Sequence, residues 1–196
     1  MLSSKYKKNI GSLVYPIAKF LIRLHLSPNH LTLFGFISSI GVMLFLANGN
    51  LILAFISLLF SGFFDLIDGA VARVSNNVSR FGGYLDSITD RFSDATILLG
   101  IAMYLDGYFI LIFIVLVGSL LVSYTRSRAE IFIDKCDVGI AERAERLIIL
   151  IIATLFEIVE VLSEGTAFII ALIILGLLTH ITVIQRVLYT RRKLNN

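Results

Sequence analysis

Four aspartates hold most of the chemistry that this 196-residue chain could perform. Asp65 and Asp68 form one pair, and Asp86 and Asp90 form another, each inside a largely apolar stretch. Side chains three or four residues apart share a face of a helix. Two such pairs facing each other make an oxygen-only, strongly anionic cage, which needs cations to stay ionised. An ionisable residue inside a membrane span marks a function unless a partner accounts for it. Hard ions such as Mg²⁺ or Mn²⁺ take carboxylate and water oxygens, whereas Zn²⁺ more often recruits His or Cys. His25, His30 and His180 are scattered along the chain and are read as non-ligands, and Cys136, its one cysteine, cannot form an internal disulfide. The competing reading is a set of structural ion pairs from the aspartates to Arg73, Arg80 and Arg91.

The small residues between the pairs point to a ligand carrying phosphate. Gly69 follows Asp68, Ala72 precedes Arg73, and Gly82 stands just before Asp86. Gly and Ala let another group approach a helix backbone closely. Arg73 offers a planar fork of donors to phosphate oxygens. Cations bridging phosphates beside an arginine suit phosphoryl transfer.

Elements able to position these residues follow from composition. Hydrophobic residues make up 57% of the chain and the mean hydropathy is +0.90, too apolar for an ordinary soluble domain of this size. The pattern predicts an all-α integral membrane protein with six transmembrane helices near 31–47, 51–73, 82–104, 108–130, 146–161 and 165–188. Residues 1–26 read as an N-terminal amphipathic interfacial helix rather than a signal peptide. Ile10, Leu13, Val14, Ile17, Leu21 and Leu24 recur at helical spacing among Lys7, Lys8, Lys19 and Arg23. The whole chain, 1–196, is read as a single domain: interfacial helix 1–26, six-helix bundle 31–188 and tail 189–196.

The links near Asn48–Asn50, Asp106–Gly107 and Ser163–Gly165 contain no Lys or Arg. Cationic residues gather instead at the other ends of the spans, in the N-terminal segment and in the tail. The positive-inside rule then places both termini in the cytoplasm of a multi-pass protein of the cell membrane. At a rise of about 1.5 Å per residue, Asp65 and Asp68 lie roughly 4–9 Å from the inner face of a core about 30 Å thick. Asp86 and Asp90 reach roughly 6 and 12 Å in from the same face, so the two pairs meet at one level on the cytoplasmic side.

The string Asp65-Leu-Ile-Asp68-Gly69-Ala-Val-Ala72-Arg73, eight residues, then Gly82-Gly-Tyr-Leu-Asp86-Ser-Ile-Thr-Asp90 resembles the signature of the CDP-alcohol phosphatidyltransferases. Every fixed position of D-x2-D-G-x2-A-R-x8-G-x3-D-x3-D is present. The resemblance implies a two-metal site for Mg²⁺ or Mn²⁺, with Asp65, Asp68, Asp86 and Asp90 as ligands and Asp90 also as general base. It implies a CDP-lipid held by its diphosphate beside Asp68, Gly69, Ala72, Arg73 and Gly82. CMP leaves when an acceptor hydroxyl attacks. Ser27-Pro28-Asn29-His-Leu-Thr32 is similar to a segment of the family that helps hold the nucleotide, which adds Asn29 and Thr32. By residue type alone the same segment is a helix start with Ser or Asn as cap.

Segments Ser123–Glu130, Gly139–Leu147 and Val183–Arg186 resemble the branch of the family that uses inositol phosphate. That implies Arg126, Arg146 and Arg186 as ligands of the acceptor's phosphate; the competing reading is that cationic helix ends serve topology alone. The chain is rich in Ile and Leu, unlike the Ala/Gly-rich bacterial members it resembles. The expected donor is therefore CDP-archaeol, the acceptor 1L-myo-inositol 1-phosphate, and the product an archaetidylinositol phosphate. CDP-diacylglycerol as donor and glycerol 3-phosphate as acceptor are the alternatives inside the family, and an ion transporter is the alternative outside it. Membrane lipid and a second copy of the chain are the expected partners, with no nucleic acid.

Overall fold

The computed structural model describes residues 14–76 and 78–195. Its elements are α1, helical over 14–23, then α2 (Pro28–Ala47), α3 (Leu51–Val74), α4 (Arg80–Tyr104), α5 (Phe109–Ala129), α6 (Arg143–Ile158) and α7 (Thr166–Leu194). No strand occurs among the described residues. Among the described residues four helices, α2, α3, α5 and α7, are long and apolar enough to cross a membrane. Large apolar side chains such as Ile110 and Phe113 on α5 and Leu177 and Ile184 on α7 stay exposed, as suits a lipid-facing surface. The chain is a membrane protein.

The other two expected spans differ from these four. α4 is long, but Asp86, Asp90, Arg91 and Asp94 crowd its first half. α6 has 16 residues, a length of ~24 Å, and begins three residues earlier than the span expected from 146. α7 continues to Leu194, through most of the segment read as a tail.

Helix starts are capped by the residues that local chemistry favours. Ser27 caps α2: its Oγ accepts from His30 N at 3.3 Å, while His30 Nδ1 accepts from Ser27 N at 3.4 Å. Asn50 and Ser79 cap α3 and α4 in the same manner. His30 is thus spent on a cap, and His180 Nδ1 lies 2.8 Å from Gly176 O, so neither joins the aspartates. The start of α7 has no side-chain cap of its own. Glu157, buried on α6, supplies one from a distance, accepting from Gly165 N at 2.9 Å, Ala167 N at 2.8 Å and Phe168 N at 3.3 Å.

Packing divides the helices into two groups. α2 lies against α3 and α4, and α5 lies against α7. α6 joins the groups by touching both α7 and α3. Gly100 lets α4 close on α2, since a Cβ there would sit 2.7 Å from Met43 Cα. One core runs through Val42, Leu58, Ile97, Val115, Leu150 and Phe168. A second gathers Val14 and Ala18 of α1 with Leu31, Ile67 and Val71. Val14, Ile17 and Leu21 therefore pack inward as their spacing requires, while Tyr15, Phe20 and Leu24 remain exposed beside Lys19 and Arg23. Ile10, Leu13, Lys7 and Lys8 lie outside the described residues.

Candidate active site

The last turns of α3 and the first turns of α4 converge where α2 begins, because α2 packs on both. Carboxylate oxygens of Asp65, Asp86 and Asp90 come within 4.8 Å of one another. Asp68 is not part of that trio. It is buried, and its Oδ2 accepts from Thr32 Oγ1 of α2 at 2.8 Å. The two pairs expected from spacing thus meet as three carboxylates plus one held by α2.

A cavity opens beside this group. Its wall includes Asn29, Thr32, Asp68, Gly69, Ala72, Arg73 and Gly82, all seven residues expected to hold the donor, and also Asp86. Gly82 is needed where it stands: a Cβ would lie 2.9 Å from Ser79 Oγ and 3.3 Å from Asn29 Oδ1, closing the gap between the starts of α2 and α4. Arg73 makes no ion pair among the described residues, and its guanidinium lies over Gly69, where a Cβ would meet Nη1 at 3.3 Å. A cationic fork with no ion-pair partner among the described residues, beside a glycine backbone, is suited to an anionic ligand.

Ion pairing differs from the competing reading taken from the sequence. Among the described residues Arg73 and Arg80 pair with no aspartate, and Arg91 reaches Asp90 only at 3.8 Å. The partner of the aspartates is Arg143, at the start of α6. Its Nη1 pairs with Asp65 and Asp90, and its Nε lies 3.6 Å from Asp94 Oδ1. Sequence spacing offered a signal for Asp94, which follows Asp90 by one helical turn, but the signature does not contain it.

The three arginines expected at the acceptor are not used alike. Arg126 and Arg186 converge on one oxygen, Glu142 Oε1, at 3.3 and 3.5 Å. Arg126, partly exposed, also pairs with Glu130 and Asp137. Arg186 is 2% exposed and donates to Val138 O at 2.8 Å and to Val122 O, which ties the 130–142 connection to α5 and α7. Thr182 Oγ1 holds the same connection by accepting from Ile140 N and Ala141 N. Arg146 is buried and shares no partner with the other two among the described residues. It turns to Asp94 and to Ala141 O at 3.0 Å. The cationic region therefore adjoins the carboxylates through Asp94 and through the Glu142–Arg143 dipeptide.

Hard oxygen ligands grouped at a membrane helix junction, next to a cavity suited to phosphate, define a membrane enzyme that works on a phosphate-bearing substrate. Residues 25–189 match the family described as CDP-alcohol phosphatidyltransferase, and the chain belongs to that family of transferases. It is 40% identical over 192 residues to the archaetidylinositol phosphate synthase of Pyrococcus horikoshii, covering 97% of each chain. It is 38% identical over 193 residues to the enzyme of that name from Methanothermobacter thermautotrophicus, covering 97% of this chain and 95% of the other. The phosphatidylinositol phosphate synthase of Mycobacterium tuberculosis, solved with CDP-DAG bound, superposes with a TM-score of 0.79 at 31% identity, covering 91% of this chain and 94% of that one. The same enzyme has been solved in complex with manganese and citrate. A divalent cation fits the donor set found here, because all three clustered ligands are carboxylate oxygens.

Proposed function

We propose that this chain transfers the lipid phosphate of CDP-archaeol to the hydroxyl of 1L-myo-inositol 1-phosphate, releasing CMP and forming archaetidylinositol phosphate. The observation that carries the reading is the double position of Asp86, which lines the donor cavity and belongs to the carboxylate trio. A diphosphate lying in that cavity reaches the metal centre and Arg73 together. The inositol-phosphate acceptor and the ether lipid are supported by the two archaeal relatives. The CDP-DAG bound to the mycobacterial structure supports a second reading in which the donor is CDP-diacylglycerol.

Asp65, Asp68, Asp86 and Asp90 would hold two divalent cations, Mg²⁺ or Mn²⁺. Bound there, the cations would neutralise the charge that develops on the diphosphate as CMP departs. Asn29 and Thr32 meet the nucleotide end of the donor, Gly69, Ala72 and Gly82 let its phosphates approach the backbone, and Arg73 grips them. Asp90 orients the acceptor hydroxyl and takes its proton as the oxygen attacks the lipid-side phosphorus, whose bond to the CMP oxygen breaks. Arg126, Arg146 and Arg186 hold the acceptor's own phosphate, a charge of about −2 near neutral pH.

The finer layout belongs to the same proposal. α2 to α7 form six membrane crossings of one domain, α4 and α6 included, and α1 is an amphipathic helix in the interface. Both termini and the site face the cytoplasm of the cell membrane, and the assembly is a homodimer. Purified enzyme should release CMP with CDP-archaeol or CDP-diacylglycerol when offered inositol 1-phosphate, in preference to glycerol 3-phosphate, free inositol or serine. A preference for glycerol 3-phosphate would overturn the acceptor assignment. Metal-dependent CMP release with any of these acceptors separates the enzyme from an ion transporter, which would release none.

A further inference from the structure

Arg143 stands on the oxygens that a divalent cation needs. Its Nη1 pairs with Oδ1 of Asp65 and Oδ1 of Asp90, two of the three carboxylates in the cluster. Only 14% of its side chain is exposed, so solvent screens these pairs weakly. The guanidinium offsets the mutual repulsion of carboxylates held close together. A metal ion bound to the same oxygens would lie within a few ångströms of this fixed positive charge and be repelled by it. The cation and Arg143 therefore compete.

Two further features bear on the outcome of that competition. Arg143 Nε is buried and donates no hydrogen bond among the described residues, so the side chain is not fully satisfied where it lies. Asp94, one turn beyond Asp90 on α4, sits outside the trio with Oδ1 3.6 Å from that same Nε. A shift of the guanidinium toward Asp94, whose Oδ2 is held by Arg146, would convert this distance into a charged hydrogen bond and draw Nη1 away from Asp65 and Asp90.

We propose that Arg143 is an exchangeable internal counter-ion. It holds Asp65 and Asp90 until a divalent cation takes their oxygens, and it then moves onto Asp94. Rather than a catalytic residue, it is a positioning residue that sets how readily the centre loads. Metal alone has to displace it, whereas metal arriving with the donor's phosphates brings extra ligands and binds more readily. This inference rests on the reading of the carboxylate trio as the metal centre.

The test is Mn²⁺ binding to the full chain in nanodiscs without CDP-lipid, read from the electron paramagnetic resonance of free Mn²⁺. Arg143→Gln should bind Mn²⁺ about tenfold more tightly than the wild type, because the competing charge is gone. Asp94→Asn should bind it more weakly, because the displaced guanidinium loses its second partner. In the double variant the Asp94→Asn effect should vanish. Unchanged or weaker Mn²⁺ affinity in Arg143→Gln overturns the exchange, as does an Asp94→Asn loss that persists undiminished in the double variant. Should Arg143→Gln fail to fold, unchanged affinity in Asp94→Asn alone overturns it. A wild type that binds no Mn²⁺ even after CDP-lipid is added overturns the metal reading, and the exchange with it. Mn²⁺ binding without the Arg143 effect sinks the exchange alone.

Discussion

Arg126→Ala is the most informative single change at the acceptor region, because the structure separates its cost to folding from its cost to binding. The Arg126 side chain is 39% exposed and its partners Glu130, Asp137 and Glu142 are more than one-third exposed or close to it. Exposed ion pairs of this kind are worth about 0–1 kcal/mol each, so the fold should survive with little change in Tm. If the guanidinium binds the acceptor's phosphate, its loss removes a charge-assisted contact worth about 1.5–3 kcal/mol. That corresponds to a rise of about 10- to 150-fold in acceptor KM. The assay is CMP release at saturating CDP-lipid, with inositol 1-phosphate titrated against wild type and variant. KM for the CDP-lipid should move less than twofold, since Arg126 is not among the residues lining the donor cavity. An acceptor KM within twofold of wild type would refute the assignment of Arg126 and weaken the inositol-phosphate reading. Arg186→Ala is a poorer probe: removing its bonds to Val138 O and Val122 O loosens the fold as well.

The other expectations concern the metal centre, the base and one structural carboxylate. Chelation by EDTA should abolish CMP release and excess Mg²⁺ or Mn²⁺ should restore it; full turnover in chelator would exclude metal catalysis. Asp90→Asn should eliminate turnover while CDP-lipid binding, followed by calorimetry, stays near that of wild type, whereas an active variant would remove Asp90 as base. Thr32→Val should weaken CDP-lipid binding by about tenfold or more, since the bond that fixes Asp68 on the cavity wall is lost. Unaltered donor affinity would count against that wall. Glu157→Ala strips three buried N–H groups at the start of α7 of their acceptor and should cost about 3 kcal/mol or more in stability, read as a lower Tm, with turnover per folded molecule kept.

The two carboxylate pairs and the small residues between them were legible in the sequence because they are local. Asp65 to Arg73 lie on one helix and Gly82 to Asp90 on the next, so helical periodicity alone set each pair on a face. Hydropathy set the long apolar helices, and turn and cap residues such as Ser27 and Asn50 marked the starts of α2 and α3. The seven residues that the resemblance implied around the CDP-lipid line one cavity, Asn29 and Thr32 reaching it from α2 and the others from α3 and α4. The partition of the aspartates was not legible. Asp68 leaves the other three because Thr32, far away in sequence, reaches it from α2. Nor could spacing name Arg143 as the partner of Asp65 and Asp90, or Asp94 as the carboxylate shared with Arg146. Those contacts arise where the start of α6 meets Asp65 of α3 and Asp90 and Asp94 of α4, a meeting with no local signal because it depends on which helices close against which. Residue type and periodicity determined what each helix face could offer to a metal or a phosphate. The packing of α6 across the bundle decided which charges meet, because an ion pair inside a membrane is chosen by proximity after the helices have docked.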